Sequence, residues 1–109
     1  MEKSKIRLPV LVGTMVKHIV MFKLKEKTPA NLDKALAALR SLEGAIETLK
    51  FLEVGEDFNG SQRAYDLVLI THFNDKRGLE LYQSHPRHQP VIQTMRELCA
   101  GSIVVDYEN

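Results

Sequence analysis

One cysteine, Cys99, stands in the whole chain, which excludes an intrachain disulfide and a cysteine-rich zinc site. Long apolar runs are missing as well. Nothing approaches the roughly 20 residues that a membrane-spanning helix needs, so no membrane partner is expected. Neither sign of charge dominates: 15 basic residues face 14 acidic ones, for a formal net charge of +1. Without a block of like charge there is no electrostatic footprint for nucleic acid, and no such partner is expected. Gly55, Gly60 and Gly78 are scattered, so no phosphate-cradling loop occurs and no cofactor is called for.

What remains is a chain of 109 residues, 44% apolar and 27% charged, ordinary values for one globular domain. It is small enough that a second copy could help to bury apolar surface. Lys3, Lys5 and Arg7 precede a short apolar run, Leu8–Val12, below the length of a secretory core region. Residues 1–14 are read as an N-terminal extension outside the core, residues 15–109 as the domain, and the protein as cytoplasmic.

Val16–Lys25 alternates with period two. Val16, His18, Val20, Phe22 and Leu24 fall on one face, and Ile19 and Met21 on the other with three lysines. Thr28-Pro29 reads as the cap and first residue of a helix. Leu32, Ala35, Leu36, Leu39 and Leu42 make its stripe, and Gly44 closes it. Leu49–Phe58 and Ala64–Phe73 read as two strands joined through the Asn59-Gly60 turn. Asn74 or Asp75 caps a short helix through Tyr82, and Pro86 disfavours helical backbone at His85 and breaks it. A further helix starts at Pro86 or Pro90, carries Val91, Ile92, Met95, Leu98 and Cys99, and ends at Gly101. Ser102–Tyr107 is the last strand.

The order β-α-β-β-α-β predicts an α+β, ferredoxin-like fold: a four-stranded antiparallel sheet with helices on one face. Both faces of the first strand are apolar, yet helices cover only one. A second sheet is the simplest cover for the other, so a homodimer is expected.

Tyr82-Gln-Ser-His85-Pro86-Arg87-His88 holds a tyrosine and half of the four histidines at a forced backbone break. His88 lies three and four residues before Val91 and Ile92 on the inward stripe. The positive end of the helix dipole disfavours its protonation. It is a candidate general base, and Tyr82 a candidate donor to a carbonyl or enolate oxygen. His18 could reach the same cavity. Plainer readings stand beside these: His85 as a turn cap, Tyr82 as a core aromatic, His18 and His88 as structural histidines. His72 alternates away from the Leu67/Leu69 face. Two histidines around a proline, with no cysteine pair and no intervening carboxylate, are a weak metal pattern, and no metal is expected.

With Val-Lys-His-Ile-Val at 16–20, Tyr-x-x-His-Pro-x-His at 82–88 and Val-Val-Asp-Tyr-Glu at 104–108, the chain resembles the stress-responsive dimeric α/β-barrel (Dabb) family over residues 15–109. The resemblance implies a ferredoxin-like protomer whose sheet meets that of a second copy to close a barrel. A plant polyketide cyclase of this family closes a ring by aldol condensation. By motif, Tyr82 and His88 match its catalytic pair, and His18 and His85 its additional cavity histidines. Other members are stress-induced proteins without an assigned reaction, and cofactor-free monooxygenases share the wider fold. The expected function is therefore binding of a small carbonyl-bearing or aromatic molecule in an apolar cavity, with cofactor-independent proton transfer or cyclisation as its chemistry. The alternatives are a non-enzymatic stress-response or ligand-binding protein and a cofactor-free monooxygenase.

Overall fold

The computed structural model describes residues 15–109; the expected extension, residues 1–14, lies outside them. Strand β1 spans Val16–Leu24, helix α1 Pro29–Arg40, β2 Phe51–Glu56, β3 Leu67–Phe73, α2 Lys76–Gln83, α3 Gln89–Leu98 and β4 Cys99–Glu108. The four strands form one sheet in the order β2-β3-β1-β4, each neighbour antiparallel. This is the ferredoxin-like arrangement that the element order predicts.

Period-two alternation sorts β1 onto two faces. Val16, His18 and Leu24 are buried beneath the helices, together with Leu67, Leu69, Thr71 and Phe73 of β3. The α1 helix opens where the sequence signals it: Thr28 accepts a hydrogen bond from the Asn31 amide at 3.1 Å, with Pro29 in the first turn. Its buried stripe of Leu32, Ala35 and Leu39 lies over the sheet. Gly44 does not end this helix as expected. The helix stops at Arg40, where the Ser41 hydroxyl donates to the Ala38 carbonyl at 2.6 Å and competes with the helical ladder. Gly44 takes a positive φ of 76° in the turns that follow, a conformation glycine adopts at little cost.

Two more boundaries differ from expectation for one reason, that pairing with β1 overrides local signals. The last helix ends at Leu98, and Cys99 is already extended. Cys99 pairs with Leu24 and Gly101 with Lys23 across a bulge at Lys23/Leu24, so Gly101 lies within β4 and does not terminate the helix. At the same end of β1, the buried Asp66 carboxylate accepts from the Leu24 amide at 2.8 Å, and the Asp66 amide donates to the Phe22 carbonyl at 2.8 Å. This clamp joins β1 to the approach to β3.

The opposite face of the sheet carries Ile19, Met21, Phe51, Ile103, Val105 and Tyr107, and among the described residues no helix covers it. Val105 is 59% and Ile103 45% exposed. Among the described residues no helix is long and apolar enough to cross a membrane.

Candidate functional site

The break between α2 and α3 is held by its own polar side chains. Asp75 caps α2, accepting from the Gly78 amide at 2.8 Å, and Leu79 and Tyr82 turn inward. Pro86 follows the end of α2, and the His88 amide returns to the His85 carbonyl at 2.9 Å. His85 Nδ1 accepts from the Arg87 amide at 3.0 Å, and its Nε2 lies 3.3 Å from the Glu47 carboxylate. His85 is thus a turn-capping residue facing the surface. His88 sits at the N-cap of α3 without a side-chain capping bond, its backbone helical, so its ring is left available for other work.

Between the sheet and α3 lies a cavity of about 420 Å³, within the size range of small-molecule sites. Val20, Phe22 and Leu69 form its floor, Leu39 and Leu42 one wall, and Val91, Ile92 and Met95 of α3 another. Its polar groups are few: His18, Tyr82, His88, Arg96, Cys99 and Ser102. Three of the four sequence-predicted site residues, His18, Tyr82 and His88, therefore meet at one cavity. His85, expected as an additional cavity histidine, does not line it, because its ring is turned to Arg87 and Glu47. His72 is on the far side of the sheet, stacked on Phe51 with ring centroids 4.4 Å apart.

Tyr82 is the hub. Its ring stacks on His88 at 4.2 Å, tilts against Phe73 at 5.0 Å and meets His18 edge-on at 6.1 Å. The side chain is fully buried, and its hydroxyl has no hydrogen-bond partner among the described residues. Such a group costs about 1–3 kcal/mol of desolvation. Burial pushes the phenol well above its usual pKa, so it remains a neutral donor.

Burial also lowers the pKa of His88, chiefly by desolvation. The Gln83 and Tyr82 carbonyls oppose the shift, while His18 and His85 add to it. His88 Nδ1 lies 3.4 Å from the Gln83 carbonyl oxygen. A carbonyl only accepts, so the proton belongs on Nδ1 and Nε2 keeps its lone pair. His18 Nδ1 is hydrogen-bonded to the Asp106 carboxylate directly across the β1–β4 ladder. Asp106 lies in the Val-Val-Asp-Tyr-Glu motif at 104–108, which by itself assigns it no role. A signal was present: by alternation Asp106 shares the inward face of Val104, where a carboxylate needs a partner. Cys99 lines the cavity half-buried, and burial followed by Asp66 pushes its thiol pKa up, which argues against a thiolate. Among the described residues no three His, Cys, Asp or Glu side chains gather as a metal-ligating cluster.

This arrangement, a partly buried histidine stacked on a buried tyrosine under one face of a ferredoxin-like sheet, accompanies a match to one family. The model of the stress responsive A/B barrel domain covers residues 16–109. The chain belongs to this family. An uncharacterized protein of Streptomyces coelicolor is 34% identical over 97 residues, covering 86% of this chain and 99% of that protein. Among solved structures, a dimeric ferredoxin-like protein of Thermobifida fusca superposes with a TM-score of 0.77 at 26% identity, over 87% of this chain and 91% of that one. A hydroxynitrile lyase of Passiflora edulis reaches a TM-score of 0.77 at 16% identity, over 87% of this chain and 93% of its own, a likeness of fold alone. The fold that brings β1, β4 and α3 around this cavity is thus the one these solved structures share with the chain.

Proposed function

We propose that this A/B barrel domain binds a small carbonyl-bearing or aromatic molecule in its cavity and catalyses cofactor-independent proton transfer on it. One observation carries the reading: a buried tyrosine, its hydroxyl without a partner among the described residues, lines an apolar cavity and stacks on a histidine whose pKa burial lowers. His88 Nε2 takes a proton from the carbon alpha to a carbonyl. The electron pair moves onto the carbonyl oxygen, and the Tyr82 hydroxyl donates a hydrogen bond to the enolate formed. The protonated His88 then returns the proton, either to carbon or, in an aldol closure, to the alkoxide produced when the enolate attacks a second carbonyl. Asp106 fixes the orientation of His18, which offers a second polar contact. His85 acts from behind, through the turn that sets the position of His88.

A second copy of the chain completes the molecule. The uncovered apolar sheet face supports this part of the reading, since face-to-face sheets bury such surfaces at about 10 Å separation. So does the dimeric state of the Thermobifida fusca relative.

A non-enzymatic binding protein is the second reading. It is favoured by the hydroxyl of Tyr82 being covered as well as unpartnered, so that a ligand reaches it only after neighbouring side chains shift. A turnover and binding screen with poly-β-keto thioesters and phenols, on wild type, His88→Ala and Tyr82→Phe, separates the two. Catalysis predicts that turnover falls at least about 100-fold in His88→Ala and about ten-fold or more in Tyr82→Phe. Tyr82→Phe should leave stability unchanged or raise it by up to about 1 kcal/mol, because an unpaired buried donor is removed. Turnover indifferent to both substitutions defeats the catalytic reading. Binding without turnover, weakened by Tyr82→Phe, establishes the second.

A further inference from the structure

Among the described residues Arg96 is the one permanently charged side chain in the wall of the cavity. Its position in the last turn of α3 suits the helix dipole, which accounts for a cation there but not for its facing this cavity. Among the described residues it forms no ion pair. The adjacent carboxylate, Glu97, is engaged by Gln93 Nε2 at 3.0 Å. Arg96 is exposed, and among the described residues its guanidinium has no ion-pair partner beside a mainly apolar cavity lining.

The helix sets the spacing. His88, Ile92 and Arg96 follow one another at intervals of four along one stripe, with Val91 and Met95 beside them, and all five line the cavity. Eight residues at 1.5 Å rise separate His88 from Arg96 by about 12 Å along the axis. The proton-handling end and the cationic end of the cavity are therefore opposite ends, joined by an apolar wall. Ser102, exposed on β4, stands with Arg96 among the lining residues.

We propose that Arg96 is the specificity determinant of this cavity and that its ligand is a carboxylic acid with an apolar body and a carbonyl remote from the carboxylate. This rests on the cavity being the ligand site. A planar guanidinium fork fits a carboxylate in two parallel hydrogen bonds. A phosphate dianion would need more positive charge than one arginine supplies, and among the described residues no second lysine or arginine lines the wall. The apolar body lies along Val91, Ile92 and Met95, and the carbonyl reaches Tyr82 and His88.

Calorimetric or NMR titration of the full chain with 7-oxooctanoate, its methyl ester and 2-octanone tests the assignment. Wild type should bind the acid at least about ten-fold tighter than the ester, the worth of a charge-assisted hydrogen bond. Arg96→Gln should bring the acid down to the ester while leaving the ester unchanged, and Arg96→Lys should restore part of the preference. Val91→Trp, which fills the cavity, should weaken all three probes. Equal binding of acid and ester by wild type, or a preference that survives Arg96→Gln, overturns the role of Arg96 while the cavity stands. A preference that depends on Arg96 but is indifferent to Val91→Trp places the carboxylate on the surface and overturns both. No binding of any probe at millimolar concentration defeats the cavity reading and this one with it.

Discussion

The two faces of the sheet are built from the same alternating strands, yet they meet different fates. Beneath the helices, Phe73 and Thr71 are fully buried, and His18 is enclosed beside Tyr82. On the other face Phe51, Ile103 and Val105 stand open, and a histidine, His72, is merely stacked on Phe51. Both faces are rich in apolar side chains, so hydrophobicity alone does not decide which becomes a site. The helices do. By covering one face incompletely, they leave a cavity whose burial raises the pKa of the Tyr82 phenol and lowers that of His88, and they leave the other face open.

The largest effect should come from the packed face. Phe73→Ala removes a fully buried ring that also supports Tyr82, and should cost about 4 kcal/mol in urea denaturation. A cost below about 1 kcal/mol would mean that the helix-covered face is not the core. On the open face the expected loss is in association. Ile103→Glu with Val105→Glu should weaken dimerisation at least about 100-fold in analytical ultracentrifugation and leave the circular dichroism of the protomer intact. A wild-type chain that sediments as a monomer at micromolar concentration would end the comparison there.

The smallest effect compares one histidine from each face. The pKa of His88 is lowered by burial, and that of His72 by burial and then by Lys17. In each case the unfolded chain binds the proton more readily, so stability is complete above the ordinary histidine value of 6.5 and is lost as pH falls from there to the lower folded-state values. Between pH 7 and pH 5 the midpoint of denaturation should fall. The fall should shrink in His88→Phe and in His72→Phe, more in the former, whose ring is the more enclosed. A midpoint that rises on acidification would contradict the direction of both shifts. The same protonation should remove the base, so any turnover should fall on the acid side of pH 6.5 and be flat above it.

Much of this was legible in residues. Alternation in Val16–Leu24, the Thr28-Pro29 start and the Asp75 cap are local signals, and α1 and α2 begin where their own capping side chains satisfy the backbone. His85 read as a turn cap because a residue beside a proline break bonds locally, and its bond to the Arg87 amide is such a contact. The ends of elements were less legible. Arg40, Leu98 and Cys99 are boundaries set by competition, by a serine hydroxyl in the first case and by the free edge of β1 in the others. Asp106 was the residue most easily missed. Its partner His18 is 88 positions away, and only strand register brings the two together.

By itself the sequence determined the element order, the apolar character of both sheet faces and the trio of Tyr82, His85 and His88 at a proline break, because these follow from short-range periodicity and backbone chemistry. Tertiary structure decided which of the trio share a cavity and which caps a turn, that His18 is oriented by Asp106, and that Arg96 lines the same cavity. Those outcomes depend on strand register and on where α3 crosses the sheet, and both are fixed only when distant segments pack together.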